Sequence, residues 1–155
     1  MADLKVKVGV VVENGDKTLL IREWSNKKSG YFWNIIKGTY GDKENESLFE
    51  CAIRECIEEA GVKVQLTSLL DCGIKSNKEF VIQFNFIAKF ISQDRLLLEK
   101  ARQIERGEDI QEIRWFTVEE IKLIPEDLFI NDQVLRVLKQ RDAGMHYPLE
   151  IIKTV

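Results

Sequence analysis

Arg54-Glu55-Cys56-Ile57-Glu58-Glu59-Ala60-Gly61-Val62 crowds three carboxylates onto one side of a short helix. Counting about 100° per residue from Glu55, Glu58 falls at about 300° and Glu59 at about 40°, so the acids share an arc of roughly 100°. Phe49, Ile53, Cys56, Ile57 and Ala60 gather on the opposite side, the side a globular helix buries. The acids are therefore expected to face outward, with Glu55 and Glu59 in the repulsive i, i+4 relation. A solvated acidic face is the bland reading; a hard divalent cation relieving the repulsion is the functional one. With no Cys or His on the acidic arc, the donors are oxygens, which favours Mg²⁺ or Mn²⁺ over zinc.

The flanks support the functional reading. Ser47 followed three residues later by Glu50 is a capping box that starts the helix near Leu48. Gly61 stands where a left-handed cap ends it. Just upstream, Lys37-Gly38-Thr39-Tyr40-Gly41 reads as a glycine-bearing loop whose backbone N–H groups approach an anion.

The segment resembles the signature of the Nudix hydrolases, Gly-x5-Glu-x7-Arg-Glu-U-x-Glu-Glu-x-Gly-U, where U is a bulky apolar residue. Glu46, seven intervening residues and Arg54 to Val62 match its later part, with Cys56 in place of the first U. The front departs: Tyr40 stands where glycine is expected, Gly38 lies two residues early, and Ile36-Lys37-Gly38 replaces the usual Pro-Gly-Gly. A loop two residues longer, with Gly38 keeping the close approach and Gly41 supplying a turn, accounts for this. The resemblance implies an α/β fold, a Nudix-like α/β/α sandwich with a mixed sheet. It also implies hydrolysis of a diphosphate bond in a nucleoside diphosphate linked to another group. Glu55, Glu58 and Glu59 would bind Mg²⁺ or Mn²⁺, with Glu55 also a candidate base. Arg54 and Glu46 would complete the catalytic set, and Gly38 and Lys37 would contact substrate. Arg54, roughly 100° round the helix from Glu55, is expected to point away from the ions and pair with Glu46.

The chain of 155 residues is read as one domain, 1–155, large enough to bury a core without staples. A net charge of −3 and a pI of about 5.4 give no general attraction for nucleic acid or acidic membranes. The expected partner is a small nucleotide-type molecule, with oligomeric state open and a homodimer among the options. Cys51, Cys56 and Cys72 lack zinc-like spacing and read as reduced thiols used for packing. With no apolar run of membrane-spanning length, a cytoplasmic location is expected.

Alternation from Leu4 to Val12 predicts a half-buried strand, Asn14-Gly15 a hairpin turn, and Thr18–Arg22 the returning strand. Val62–Leu70 and Phe80–Ile91 are strand-like, the latter the expected central strand, and Ile110–Phe116 is another. The stretch 96–106 reads as strand end or helical turn. Thr117 and Asn131 are expected caps of helices over 118–123 and onward to Arg141, and residues 146–155 a short strand or an ordered extension. Glu108, Asp109 and Glu112 are candidates for a loop acid completing the metal site. Trp33, Phe84 and Phe86 are candidate base-stacking residues, with core packing the commoner use. His146 has no partner in sequence. Two other functions stay open: a Nudix-like module that binds a nucleotide without cleaving it, and an isoprenoid diphosphate isomerase. ADP-ribose, dinucleotide polyphosphates, nucleoside triphosphates and nucleotide sugars all remain possible substrates.

Overall fold

β1 (Leu4–Asn14) is the strand to which the others are referred. In the computed structural model, which describes residues 3–93, 100–105 and 107–155, the sheet runs in the order β3-β2-β1-β6-β5, with β4 also on β1 and β7 on β2. The other strands are β2 (Lys17–Ser25), β3 (Gly30–Asn34), β4 (Ile36–Thr39), β5 (Val62–Ser76), β6 (Phe80–Gln93) and β7 (Ile110–Thr117). β1 and β6 are parallel and the other pairs antiparallel, so the sheet is mixed. β1, not β6, is the middle strand. Its segment Val8–Val12 is buried throughout, because both faces are covered. A strand covered on both sides no longer needs the alternation of a half-solvated one.

The helices are α1 (Leu48–Ala60), α2 (Lys100–Glu105), α3 (Val118–Leu123) and α4 (Asp132–Asp142). Val8, Val10 and Val12 join the α1 side of the core with Cys51, Ala52, Cys56, Ala60 and Phe86. Val11 joins the opposite layer with Trp33, Ile35, Phe116, Val134, Val137 and Leu138. Trp33 packs edge-on against Phe116 and Phe86 against Phe49. Trp33 and Phe86 are therefore core residues rather than stacking platforms, and Phe84 is half-buried against the same core as Phe86. Cys72, expected in the packing, is exposed, whereas Cys51 and Cys56 are buried.

The terminators act as expected. Ser47 and Glu50 form the reciprocal capping box and Gly61 closes α1 at φ 66°. Thr117 accepts from the Glu120 N–H and Asn131 from the Val134 N–H. The β1–β2 hairpin turns at Gly15 and Asp16, one residue later than the expected Asn14-Gly15, because Asn14 still pairs with Lys17. The stretch 96–106 lies partly outside the described residues; its described portion includes α2. Beyond α4, Tyr147 bridges to Leu69 and Leu149–Ile151 forms a 3₁₀ turn, an ordered extension.

Two pairings on β1 open the molecule where function is expected. β2 pairs with β1 only near the hairpin, at Glu13 and Asn14, then diverges toward β3 and β7. β4 takes its place beside Lys7–Val10. The sheet thus forks between β4 and β2, and α1 lies over β4. The segment expected to be a phosphate loop is accordingly strand at Lys37, Gly38 and Thr39, held by β1. Gly38 lies so close to α1 that an added Cβ would stand 2.2 Å from Glu55 Cγ and Cδ. Its glycine is required by that approach. The longer loop is turned instead at Gly41 (φ 100°) and Asn45 (φ 60°).

Ser47→Ala should lower stability by about 1 kcal/mol, measurable by urea unfolding. Gly38→Val should cost about 1–3 kcal/mol through overpacking against Glu55. Gly41→Ala, with open space around it, should cost about 1–2 kcal/mol through its left-handed backbone alone. A Gly38→Val protein as stable as the parent would mean that the Glu55 contact is not rigid.

Candidate active site

The capped helix presents its acids to β4 rather than to solvent. Glu55 and Glu59 are only 5% and 7% exposed, which corrects the expectation of an outward face. α1 contacts β4 as well as β1 and β5, so the apolar stripe and the acidic arc are both covered. The Lys37 backbone N–H donates to Glu59 Oε2 at 3.3 Å. A cavity of about 430 Å³ opens beside them, lined by Lys37, Gly38, Arg54, Glu55, Glu58, Glu59 and Glu108 among others.

Arg54 lies at the hinge of this arrangement. Its Nε and Nη2 donate to Glu46 at 2.6 and 3.0 Å, the expected pairing. Its Nη1 also donates to Glu55 Oε1 at 2.8 Å and to Glu58 Oε2 at 2.7 Å. The side chain therefore bends back to the acids it was expected to point away from, because a guanidinium fork can serve several carboxylates at once. Lys43 adds a looser contact to Glu58 at 3.4 Å. The hydrogen bond from Arg54 holds the Glu46 carboxyl below the usual range, and Glu46, with Glu55 and Glu58, keeps Arg54 charged.

The acids that converge are Glu55, Glu59 and Glu108. One carboxylate oxygen from each lies within 4.8 Å of the other two. Glu58 borders the same cavity but is held toward Arg54. Glu108 comes from the loop before β7, where its N–H donates to Gln103 O at 2.8 Å. The buried Gln103 side chain fixes the next turn of chain by accepting from the Ile110 N–H at 2.8 Å. Asp109 instead accepts from the Tyr31 hydroxyl, and Glu112 pairs with Arg114. Sequence spacing put all three acids on one footing. Glu108 turns inward from a backbone that Gln103, which carries no motif, holds through the N–H groups of Glu108 and Ile110.

Burial, then Glu23, Glu108 and Glu55, push the Glu59 carboxyl well above its ordinary value. Glu23 on β2, which accepts from Asn34 Nδ2 at 2.8 Å, is also raised by burial. It too was missed in sequence, since an acid within a strand carries no signature. Across the fork, burial pushes the Lys37 ammonium down to about 8, opposed by Glu23. Burial also pushes the Cys51 thiol up to about 12 and Cys56 higher than its ordinary value, so neither is a poised nucleophile. His146 is exposed.

Three converging carboxylates, two of them buried, repel one another at neutral pH, and an all-oxygen donor set matches a hard divalent cation. The residues present fit a metal site.

No curated protein sequence matches the chain. Solved structures of similar fold include a NUDIX hydrolase from Nitrosomonas europaea, with TM-score 0.81, 23% identity and coverage of 99% of this chain and 98% of that one. A MutT NUDIX hydrolase from Burkholderia pseudomallei aligns with TM-score 0.67, 18% identity and coverage of 89% and 98%. An ADP-ribose pyrophosphatase from Streptococcus suis aligns with TM-score 0.60, 18% identity and coverage of 92% and 95%. At these identities the likeness is one of fold. Residues 3–138 match the family described as NUDIX domain, most of the chain and all the elements just described from β1 to the body of α4; the protein belongs to the NUDIX family and is a Nudix-type pyrophosphohydrolase.

Proposed function

We propose that the protein hydrolyses the diphosphate bond of a nucleoside diphosphate linked to a further group, by attack of water on phosphorus, with Mg²⁺ or Mn²⁺ required. The observation that carries this reading is the convergence of Glu55, Glu59 and Glu108 on one cavity. A divalent cation bound there would neutralise phosphate oxygens and lower the pKa of a coordinated water. Glu55 and Glu59 would hold it from α1 and Glu108 from the β7 loop, with Glu58 at the rim as a further ligand. Glu55 takes the proton of the attacking water as the new O–P bond forms and the bridging P–O bond breaks, leaving two phosphate monoesters. Arg54 and Glu46 are positioning residues: their ion pair fixes the rotamers of Glu55 and Glu58 before substrate arrives. Gly38 leaves the space into which Glu55 fits, and Lys37 borders the cavity with its backbone, whose N–H donates to Glu59. ADP-ribose heads the substrates to be tried, since proteins of similar fold include one named as an ADP-ribose pyrophosphatase and one as an ADP compounds hydrolase. Free thiols at Cys51, Cys56 and Cys72 suit a cytoplasmic setting.

Hydrolysis of ADP-ribose, dinucleotide polyphosphates, nucleotide sugars or nucleoside triphosphates, followed by phosphate release after a coupling phosphatase, should be abolished by chelation. Glu59→Gln and Glu108→Gln should each lower kcat by about 10²-fold or more while leaving the fold intact. Glu112→Gln should be near normal. A Glu108→Gln enzyme with full activity would remove the β7 loop from the metal site. A protein that binds these nucleotides with Mg²⁺ but turns none over would be a binding module instead.

Proton and metal should compete at this site. Because the folded-state pKa values of Glu59 and Glu23 are raised, the stability they confer is full below the ordinary value of 4.5 and is lost as pH rises through their folded values. Glu46, lowered by Arg54, acts oppositely, and its contribution is complete above that same value. Without divalent metal the thermal midpoint should therefore fall from pH 5 toward pH 8. Saturating Mg²⁺ should cancel the fall, since a ligand binding only the native state stabilises it. Midpoints with the same slope in EDTA and in Mg²⁺ would contradict the metal assignment.

A further inference from the structure

β4 separates two crowds of charge. Gly38 faces the acids of α1, so Lys37 and Thr39 project to the other face, toward the layer that contains α4. On β1 the same alternation puts Lys7, Gly9 and Val11 on that face, with Val8, Val10 and Val12 on the first. Lys7 pairs with Thr39 and Gly9 with Lys37, so Lys7 and Lys37 are diagonal neighbours across the ladder, within reach of long side chains. Both are half-buried. Among the described residues neither ammonium makes a hydrogen bond or ion pair; Glu23 and, less strongly, Glu59 offset the burial of Lys37, while Lys7 and Arg136 add to its repulsion.

Beside them the sheet carries a fixed polar floor. Gln83 pairs with Lys7 and Asn85 with Gly9, and both are buried, at 4% and 0% exposure. Gln83 Nε2 donates to Asn85 Oδ1 at 2.7 Å, and Asn85 Nδ2 donates to Asp71 Oδ1 at 2.6 Å. Arg136 of α4 pairs with Asp71. The amides lean over Gly9, where an added Cβ would stand 2.2 Å from Asn85 Oδ1. Beyond Gln83 lies a cavity of about 300 Å³ lined by Gly73, Ile74, Lys75, Val81, Gln83, Gln133 and Arg136, with no aromatic ring among them. Such a surface offers a nucleobase nothing to stack on and offers an anion two cations whose mutual repulsion it would relieve.

We infer that Lys7 and Lys37 clamp a second anionic group of the substrate, a phosphate outside the scissile diphosphate, with Gln83 and the cavity beyond it receiving the polar moiety that carries this phosphate. The inference rests on the hydrolase reading and narrows it to diphosphates whose far end is phosphorylated and polar rather than aromatic.

Inorganic phosphate titrated calorimetrically into the metal-free protein in EDTA tests the clamp apart from turnover. The wild type should bind saturably. Lys7→Gln should weaken binding about tenfold or more, and Lys7→Arg should restore most of it. Lys89→Gln, the same charge change at an exposed β6 position about 20 Å along the strand, should leave it unchanged. Circular dichroism confirms that each variant is folded. Absence of phosphate binding by the wild type, or equal affinity in Lys7→Gln and Lys89→Gln, would overturn the clamp. Turnover of the nucleotide panel with no Lys7 effect would leave the hydrolase reading standing and sink only this one. Phosphate binding through Lys7 in a protein that turns over nothing would do the reverse.

Discussion

Residue 38 has no side chain, and the candidate site is arranged around that fact. Glu55 occupies the volume that a Cβ on β4 would fill, which brings the helix carboxylates under the strand. There they lose solvent and come within reach of Glu108. Moving α1 outward by one methyl group would open the acids to water. It would also weaken the seal that makes electrostatics strong in this cleft. The contact is steric in origin and electrostatic in consequence.

Burying several carboxylates together is costly unless something of opposite charge is bonded to them. Arg54 meets part of that cost: its guanidinium touches Glu46, Glu55 and Glu58, so one cation links the loop before α1 to the acidic arc of the helix. No Arg54 bond reaches Glu59, whose carboxyl burial pushes well above its ordinary value. Glu59 instead converges with Glu108 and Glu55, one carboxylate oxygen of each lying within 4.8 Å of the others. A divalent cation bound there would offset the repulsion among the three acids.

The helix and its caps were legible in the sequence because each depends on residues within one or two turns: Ser47 with Glu50, Gly61 in the left-handed region, Asn131 with Val134. The Glu46–Arg54 pair was legible for the same reason. The direction of the acids was not. Amphipathic periodicity separates one face of a helix from another, but it does not report that a four-residue strand will lie over the polar one. Nor could spacing tell Glu108 from Asp109 or Glu112, since the difference lies in non-local partners: Tyr31 for Asp109, and the Gln103 side chain that holds the backbone at Ile110. The middle place of β1 was hidden by Lys5 and Lys7, whose charges made a doubly covered strand look half-solvated.

Those lysines mark where the opposite layer ends. α4 covers β1 at Val11, and toward Lys7 and Lys5 the strand emerges from beneath the helix. Evolution of a mere solvent edge would leave the neighbouring strand polar but loosely held. Here Gln83 and Asn85 are instead buried and bonded in series to Asp71 and Arg136, and Gly9 is kept free of a side chain to admit them. A buried amide chain earns its desolvation only when its members are held in one orientation. The floor beside Lys7 and Lys37 is thus built to a fixed geometry, and β4 carries a site of one charge sign on each of its faces.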